Sequence, residues 1–135
     1  MGDARVIVID THVWIWWVDD HPRLKREVRD RIDAESDVRV SAIPLLEIAT
    51  AVSLNRLTLR PSPQHWLSIA QTAEQIRLEP LTDALCLESV RLPGEFHRDP
   101  ADRIIVALAR TLDGELVTAD DKILRYSGVR TVAAS

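Results

Sequence analysis

The chain has 135 residues, 46% hydrophobic and 28% charged, a balance that fits one domain over residues 1–135 and excludes a disordered tail, a collagen-like chain or a coiled coil. Its single cysteine, Cys86, excludes an internal disulfide, and no apolar run approaches the ~20 residues that a membrane-spanning helix needs. A net charge of −4 argues against binding by broad phosphate neutralisation, although the bases are nearly all arginine, Lys25 and Lys122 being the only lysines.

Strand and helix patterns alternate along the chain. The apolar stretch after Met1-Gly2-Asp3-Ala4-Arg5 is too short for a signal peptide, so a cytoplasmic protein is expected. Val6-Ile7-Val8-Ile9 is a β-branched run that predicts a strand buried on both faces and ending at Asp10. Leu24, Val28 and Ile32 recur at spacing four within a charged segment, Arg23 to Glu35, which predicts a one-sided surface helix. Val38 to Val40 reads as a short strand. Ser41 is placed to cap an apolar helix to about Leu54, with Pro44 tolerated in its first turn. Ser62-Pro63 opens a helix to Gln75 that carries Trp66, Ile69, Ala70 and Ala73 at helical spacing. A strand follows from Ile76 to Leu81, and Thr82 caps a helix to Val90. After the break at Leu92-Pro93-Gly94, Asp99 caps a helix with Pro100 at its first position; the run Ile104 to Ala109, apolar all round, marks it as central. Leu116 to Thr118 is a strand, Asp121 to Tyr126 a helical turn, and Val129 to Val132 a last strand. This alternation predicts an α/β fold, a three-layer α/β/α sandwich with a mostly parallel sheet.

Four acids stand out against this pattern. Asp10 ends the first strand and Asp120 follows the strand at Leu116–Thr118, so both fall at the carboxyl edge of a parallel sheet, where ligands bind. Glu47 and Asp102 sit in helices that start from that edge. Each has a structural alternative: Asp10 as a turn former, Asp120 as a cap, Asp102 at the reciprocal position of a capping box. Glu47 is the hardest to explain that way, because Leu46 and Ile48 flank it in an apolar helix. Two carboxylates 5 Å apart repel by about 3 kcal/mol at an effective dielectric near 20. A converging set of acids therefore asks for a counter-ion. With no histidine pair or cysteine cluster to suggest zinc, a hard cation with oxygen ligands, Mg²⁺ or Mn²⁺, suits the set, and its chemistry is phosphodiester hydrolysis.

Taken together, Val8-Ile9-Asp10-Thr11-His12-Val13-Trp14, Val40-Ser41-Ala42-Ile43 leading to Glu47-Ile48-Ala49, His97-Arg98-Asp99-Pro100-Ala101-Asp102-Arg103-Ile104-Ile105-Val106-Ala107 and Leu116-Val117-Thr118-Ala119-Asp120 resemble the PIN-domain ribonucleases. The resemblance is closer still to the VapC-type toxins of toxin–antitoxin pairs, and it runs essentially end to end. It implies a Mg²⁺- or Mn²⁺-dependent endoribonuclease, a homodimer held inactive by a cognate antitoxin. Residue by residue, it assigns Asp10, Glu47, Asp102 and Asp120 as catalytic and metal-binding. Asp99 competes with Asp102 for the third place and is read as an N-cap and supporting group. Thr11, Thr118 and Asp121 are read as neighbours that orient water or the acids. Attack of an activated water on RNA would leave a 5′-phosphate and a 3′-hydroxyl. Sequence-specific DNA contact is not expected of this chain, which shows no helix-turn-helix or basic stripe.

Other features carry structural readings. Trp14, Trp16 and Trp17 suit core or an antitoxin or dimer groove better than base stacking, Trp66 suits packing, and Cys86 reads as a small core residue. Arg98 and Arg103 flank the third acid and suit phosphate, a neighbouring acid or the antitoxin equally. Two other functions compete: a PIN-fold binding module without catalysis, and a receiver- or phosphatase-like Mg²⁺ phosphoryl-transfer domain. The latter usually needs a second acid close to Asp10 and a lysine on a later strand. Here Thr11-His12 follow Asp10, and Lys122 lies in a helical turn.

Overall fold

The computed structural model describes residues 6–58 and 62–135, so the reading of Met1–Arg5 and the inward placing of the Ile69 and Ala70 side chains lie outside it. The strands are β1 (Ile7–Ile9), β2 (Val38–Ser41), β3 (Ile76–Glu79), β4 (Glu115–Thr118) and β5 (Arg130–Ala133). The helices are α1 (Thr11–Val18), α2 (Arg26–Ala34), α3 (Ile43–Ser53), α4 (Pro63–Thr72), α5 (Asp83–Ser89), α6 (Pro100–Thr111) and α7 (Asp121–Leu124).

All pairings in the sheet are parallel, in the order β3-β2-β1-β4-β5. Ile9 pairs in register with Val40 on one side and Val117 on the other, so β1 is central and fully buried, as its β-branched run predicts. Alternation along the strands divides the core in two. Ile7, Ile9, Val38, Val40 and Val117 pack with α1, α2, Ile48 of α3 and Trp66 of α4. Val8 and Leu116 face the other way, against α6, Leu85 of α5 and Ile123 of α7. The result is the expected three-layer α/β/α sandwich. Every residue from Ile104 to Ala109 is buried, which accounts for a helix that is apolar all round.

Several local expectations are corrected. Thr11–Val18, rich in β-branched and aromatic residues, is a helix that propensity does not announce; the Asp10 side chain caps it, accepting from the Val13 N–H at 3.0 Å. Helix α3 has Ala42, not Ser41, at its N-cap, and the Ser41 hydroxyl instead accepts from Ile43 N–H at 3.2 Å. Cys86 is exposed rather than in the core, because α5 turns Leu85 and Ser89 inward. Leu24, buried like Val28 and Ile32, precedes the first turn of α2 rather than lying within it.

Candidate active site

β1 and β4 lie side by side, but the chain leaves β1 toward β2 and β3 and only later returns to β4, so a crevice opens beyond their carboxyl ends. A cavity of about 320 Å³ occupies it. Asp10, Glu47, Asp102 and Asp120 all line this cavity, together with Thr11, His12, Trp16 and Arg23. Elements far apart in the chain thus bring the four predicted acids to one place.

Thr118, fully buried at the end of β4, ties two of them together. Its hydroxyl donates to Asp10 Oδ2 and accepts from the Asp120 N–H at 3.0 Å. Asp10 uses its other oxygen to cap α1, and Asp120 Oδ1 accepts from the Lys122 and Ile123 N–H groups to cap α7. Asp99 is the N-cap of α6, as expected, accepting from the Ala101 N–H at 2.9 Å and the Asp102 N–H at 3.5 Å. That leaves the Asp102 carboxylate free of capping duty. It faces His97, whose Nε2 lies 3.0 Å from Asp102 Oδ2. His97 Nδ1 accepts from the Asp99 N–H at 3.4 Å, while the buried Nε2 has no hydrogen-bond partner among the described residues.

Three of the four acids are held above the ordinary carboxylate range. Burial pushes Asp10 up, opposed by the Thr118 and Val13 hydrogen bonds. Burial, then repulsion from Asp99, raises Glu47. Burial, then the charges of Asp99 and Asp120, pushes Asp102 to about 6, with His97 pulling the other way. Burial is the largest cause at each of the three, with repulsion from a neighbouring acid adding to it. Among the described residues, no three His, Cys, Asp or Glu side chains are already gathered as a metal site, so the acids line the cavity without closing on a common point.

Not every expectation is met. Asp121 is exposed and does not line the cavity, whereas Thr11 does. Glu47 is not a buried charge within an apolar helix. Its residue is exposed overall, with its carboxyl partly sheltered at the cavity, and Leu46 beside it is 71% exposed, so the apolar character of α3 belongs partly to its surface. The Arg103 guanidinium donates to the carbonyls of Ser89, Phe96 and His97 at 2.8–3.1 Å and fixes the loop that carries His97. Trp14 is core, packed edge-on to Trp66 with ring centroids 5.4 Å apart. Arg23, read from the sequence only as part of a solvated helix, lines the cavity beside Trp16, which the sequence weighs as a core, groove or base-stacking residue. The Arg23 guanidinium lies 5.1 Å from the centre of the Trp16 ring, a cation–π arrangement between residues with no motif spacing to reveal it.

The PIN domain profile matches residues 7–129 of this chain, a span that contains all four acids. The chain belongs to the PIN-domain family. Among curated proteins this PIN domain is similar to Ribonuclease VapC22 of Mycobacterium tuberculosis, 32% identical over 126 residues, which covers 93% of this chain and 95% of the relative. It is thereby a VapC-type member of the family. Among solved structures, VapBC2 from Rickettsia felis, bound to a promoter DNA fragment, superposes with a TM-score of 0.69 at 17% identity, covering 94% of this chain and 97% of the other. FitAcB from Neisseria gonorrhoeae gives 0.68 at 19% identity, covering 95% and 97%. At those identities the two structures speak to the fold alone, and they agree with the three layers described above.

Proposed function

We propose that this PIN domain is a Mg²⁺- or Mn²⁺-dependent endoribonuclease, a cytoplasmic toxin restrained by a cognate antitoxin. The observation that carries the reading is the cavity at the β1/β4 crevice, where carboxylates from four separate elements converge and three are held above their ordinary pKa. Similarity to a curated VapC ribonuclease over nearly the whole chain supports the nuclease class.

The donor set suits a divalent cation: it consists of hard carboxylate oxygens whose mutual repulsion a cation would relieve, with no thiol or histidine cluster to favour a softer metal. Asp10 and Asp102 would hold it most directly, with Glu47 and Asp120 completing the site by small closing movements. When bound, such an ion activates water at neutral pH and neutralises charge building on a phosphoryl group. The chain's own residues do the rest. Thr118 holds one oxygen of Asp10 in place, His97 stands 3.0 Å from Asp102, and Trp16 holds Arg23 at the cavity. Water attack on an RNA phosphodiester there yields a 5′-phosphate and a 3′-hydroxyl.

For partners, the exposed Leu46 of α3 offers an apolar side chain that an antitoxin would cover, and the exposed Leu87 and Val90 supply another surface for a second copy of the chain. Sequence-specific DNA contact in such a complex would fall to the antitoxin. The test compares wild type with Asp10→Asn on total cellular RNA in Mg²⁺, Mn²⁺ or EDTA. Discrete, metal-dependent products from wild type alone are expected. Equal cleavage by both proteins would move the chemistry elsewhere, and no cleavage by a folded wild type would leave a binding module.

A further inference from the structure

A second groove, of about 290 Å³, lies beside the acid cavity and is lined by Glu95, Phe96, His97, Lys122, Arg125 and Tyr126. The two spaces share walls: α7 sends Asp120 and Ile123 into one and Lys122 and Arg125 into the other, while His97 lines the groove and touches Asp102 of the cavity. Lys122 and Arg125, three residues apart, stand on one face of this short helix and its end.

These cations are unengaged and line one groove together. The scaffold arginines are committed: Arg31 pairs with Glu115, Arg39 with Asp37 and Glu79, and Arg103 with backbone carbonyls. Among the described residues, the side chains of Lys122 and Arg125 have no ion pair or hydrogen bond, and both are exposed. Arg98, equally unpaired, borders the adjoining hollow on the other side of Phe96 and His97. Lys25, Arg26 and Arg56 are also exposed and unpaired among the described residues, but Lys122 and Arg125 are the pair that lines a groove beside the carboxylate pocket.

Resting on the ribonuclease reading above, we propose that this groove is the track for single-stranded RNA beside the cleavage point, with Lys122 and Arg125 each holding one backbone phosphate. The acid cavity repels a polyanion, so a strand needs cationic holds outside it. The groove supplies them within reach, on the helix that carries Asp120. Because the contacts are to phosphates, the track contributes affinity without reading base identity.

The test measures binding of a fluorescein-labelled 12-nucleotide single-stranded RNA to the full chain by anisotropy in EDTA, where hydrolysis is stopped. Each single-strand phosphate contact adds about 0.7 to the salt slope, a factor of about 5 at 0.1 M salt. The double variant Lys122→Gln/Arg125→Gln should therefore bind about 25-fold more weakly, with the slope of log K against log salt reduced by about 1.4. In Mg²⁺ its KM should rise while kcat holds. The control, Lys25→Gln/Arg56→Gln, removes the same charge from exposed, unpaired side chains outside the groove and should change binding less than about twofold. Equal weakening in both double variants reduces the effect to net charge and overturns the track, as does an unchanged KM in a groove variant of an active wild type. Unchanged RNA binding with lost binding of a poly-aspartate peptide assigns the groove to an acidic protein segment instead. A wild type that neither binds nor cleaves RNA removes the ribonuclease reading, and the track with it.

Discussion

Replacing Asp102 with asparagine removes a charge that its surroundings disfavour, so the metal-free protein should become more stable. The carboxyl is pushed up to about 6 from an ordinary 3.8. A folded-state pKa above the unfolded one means the native state binds more protons between those values, so stability falls as pH rises through that window and the loss is complete above it. At 1.36 kcal/mol per unit the full penalty is about 3 kcal/mol. The side chain is 27% exposed, so screening by solvent reduces the working figure to about 1–2 kcal/mol. The raised groups Asp10 and Glu47 act with the same sign. Asp37, lowered by its hydrogen bonds to Arg39, acts oppositely but only below about pH 4, outside the window that matters. Urea unfolding in EDTA at pH 7.5 should therefore show Asp102→Asn more stable than wild type by about 1–2 kcal/mol, a gap that closes by about pH 4. Adding Mg²⁺ should stabilise wild type and not the variant, reversing the order. An Asp102→Asn protein less stable than wild type at pH 7.5 in EDTA, or a gap that widens on acidification, would refute the reasoning.

Three further substitutions probe the frame around the acids. Thr118→Val keeps the shape of a fully buried side chain but leaves Asp10 Oδ2 and the Asp120 N–H without their partner; it should cost about 2–4 kcal/mol by urea denaturation, and a change under ~0.5 would contradict the hub role. Arg103→Lys gives up the planar fork that serves three carbonyls, so it should cost about 1–3 kcal/mol and raise hydrogen exchange at residues 96–98, which a merely surface arginine would not do. Trp14 is fully buried with an indole Nε1 that has no hydrogen-bond partner. Trp14→Phe removes that unpaired donor as it opens a small cavity, so thermal and urea stability should stay within about 1 kcal/mol of wild type, against a loss of about 3–5 for Trp14→Ala.

Much of the frame was legible because burial writes itself into composition. A strand covered on both faces shows as Val6–Ile9, and a helix inside the sandwich shows as Ile104–Ala109. The same logic fails where apolar residues stay outside. Leu46, Leu87 and Val90 are exposed, so apolar runs in α3 and α5 suggested more core than exists and misplaced Cys86. α1 was invisible for the opposite reason. Its β-branched and aromatic residues have weak helical preference, and what holds it helical is long-range packing under Trp66 and against β1, together with the Asp10 cap. Arg23 and Arg103 were beyond reach of pattern, since the partners that give each its role lie on rings and loops that only the fold brings near.

The acids themselves were legible through a conflict that the structure dissolves. Asp10 read equally well as a turn former or a ligand and Asp120 as a cap or a ligand, and both are helix caps: Asp10 Oδ1 serves α1, and Asp120 Oδ1 serves α7. A carboxylate has two oxygens, however, and capping uses one. Asp120 Oδ2 stands outside the cap bonds, while Asp10 Oδ2 accepts a hydroxyl from Thr118 and retains lone pairs toward the cavity. Capping thus fixes the carboxylate's orientation at the strand end, at a gain of about 1 kcal/mol per cap, which offsets part of the repulsion of placing it beside other acids. Asp102 completes the argument by contrast. Asp99 caps α6 alone, so Asp102 carries its raised pKa with only His97 to help hold it. Neutralising Asp102, whose carboxylate serves no cap, should therefore stabilise the metal-free protein, whereas neutralising Asp10 or Asp120 would also weaken a helix cap.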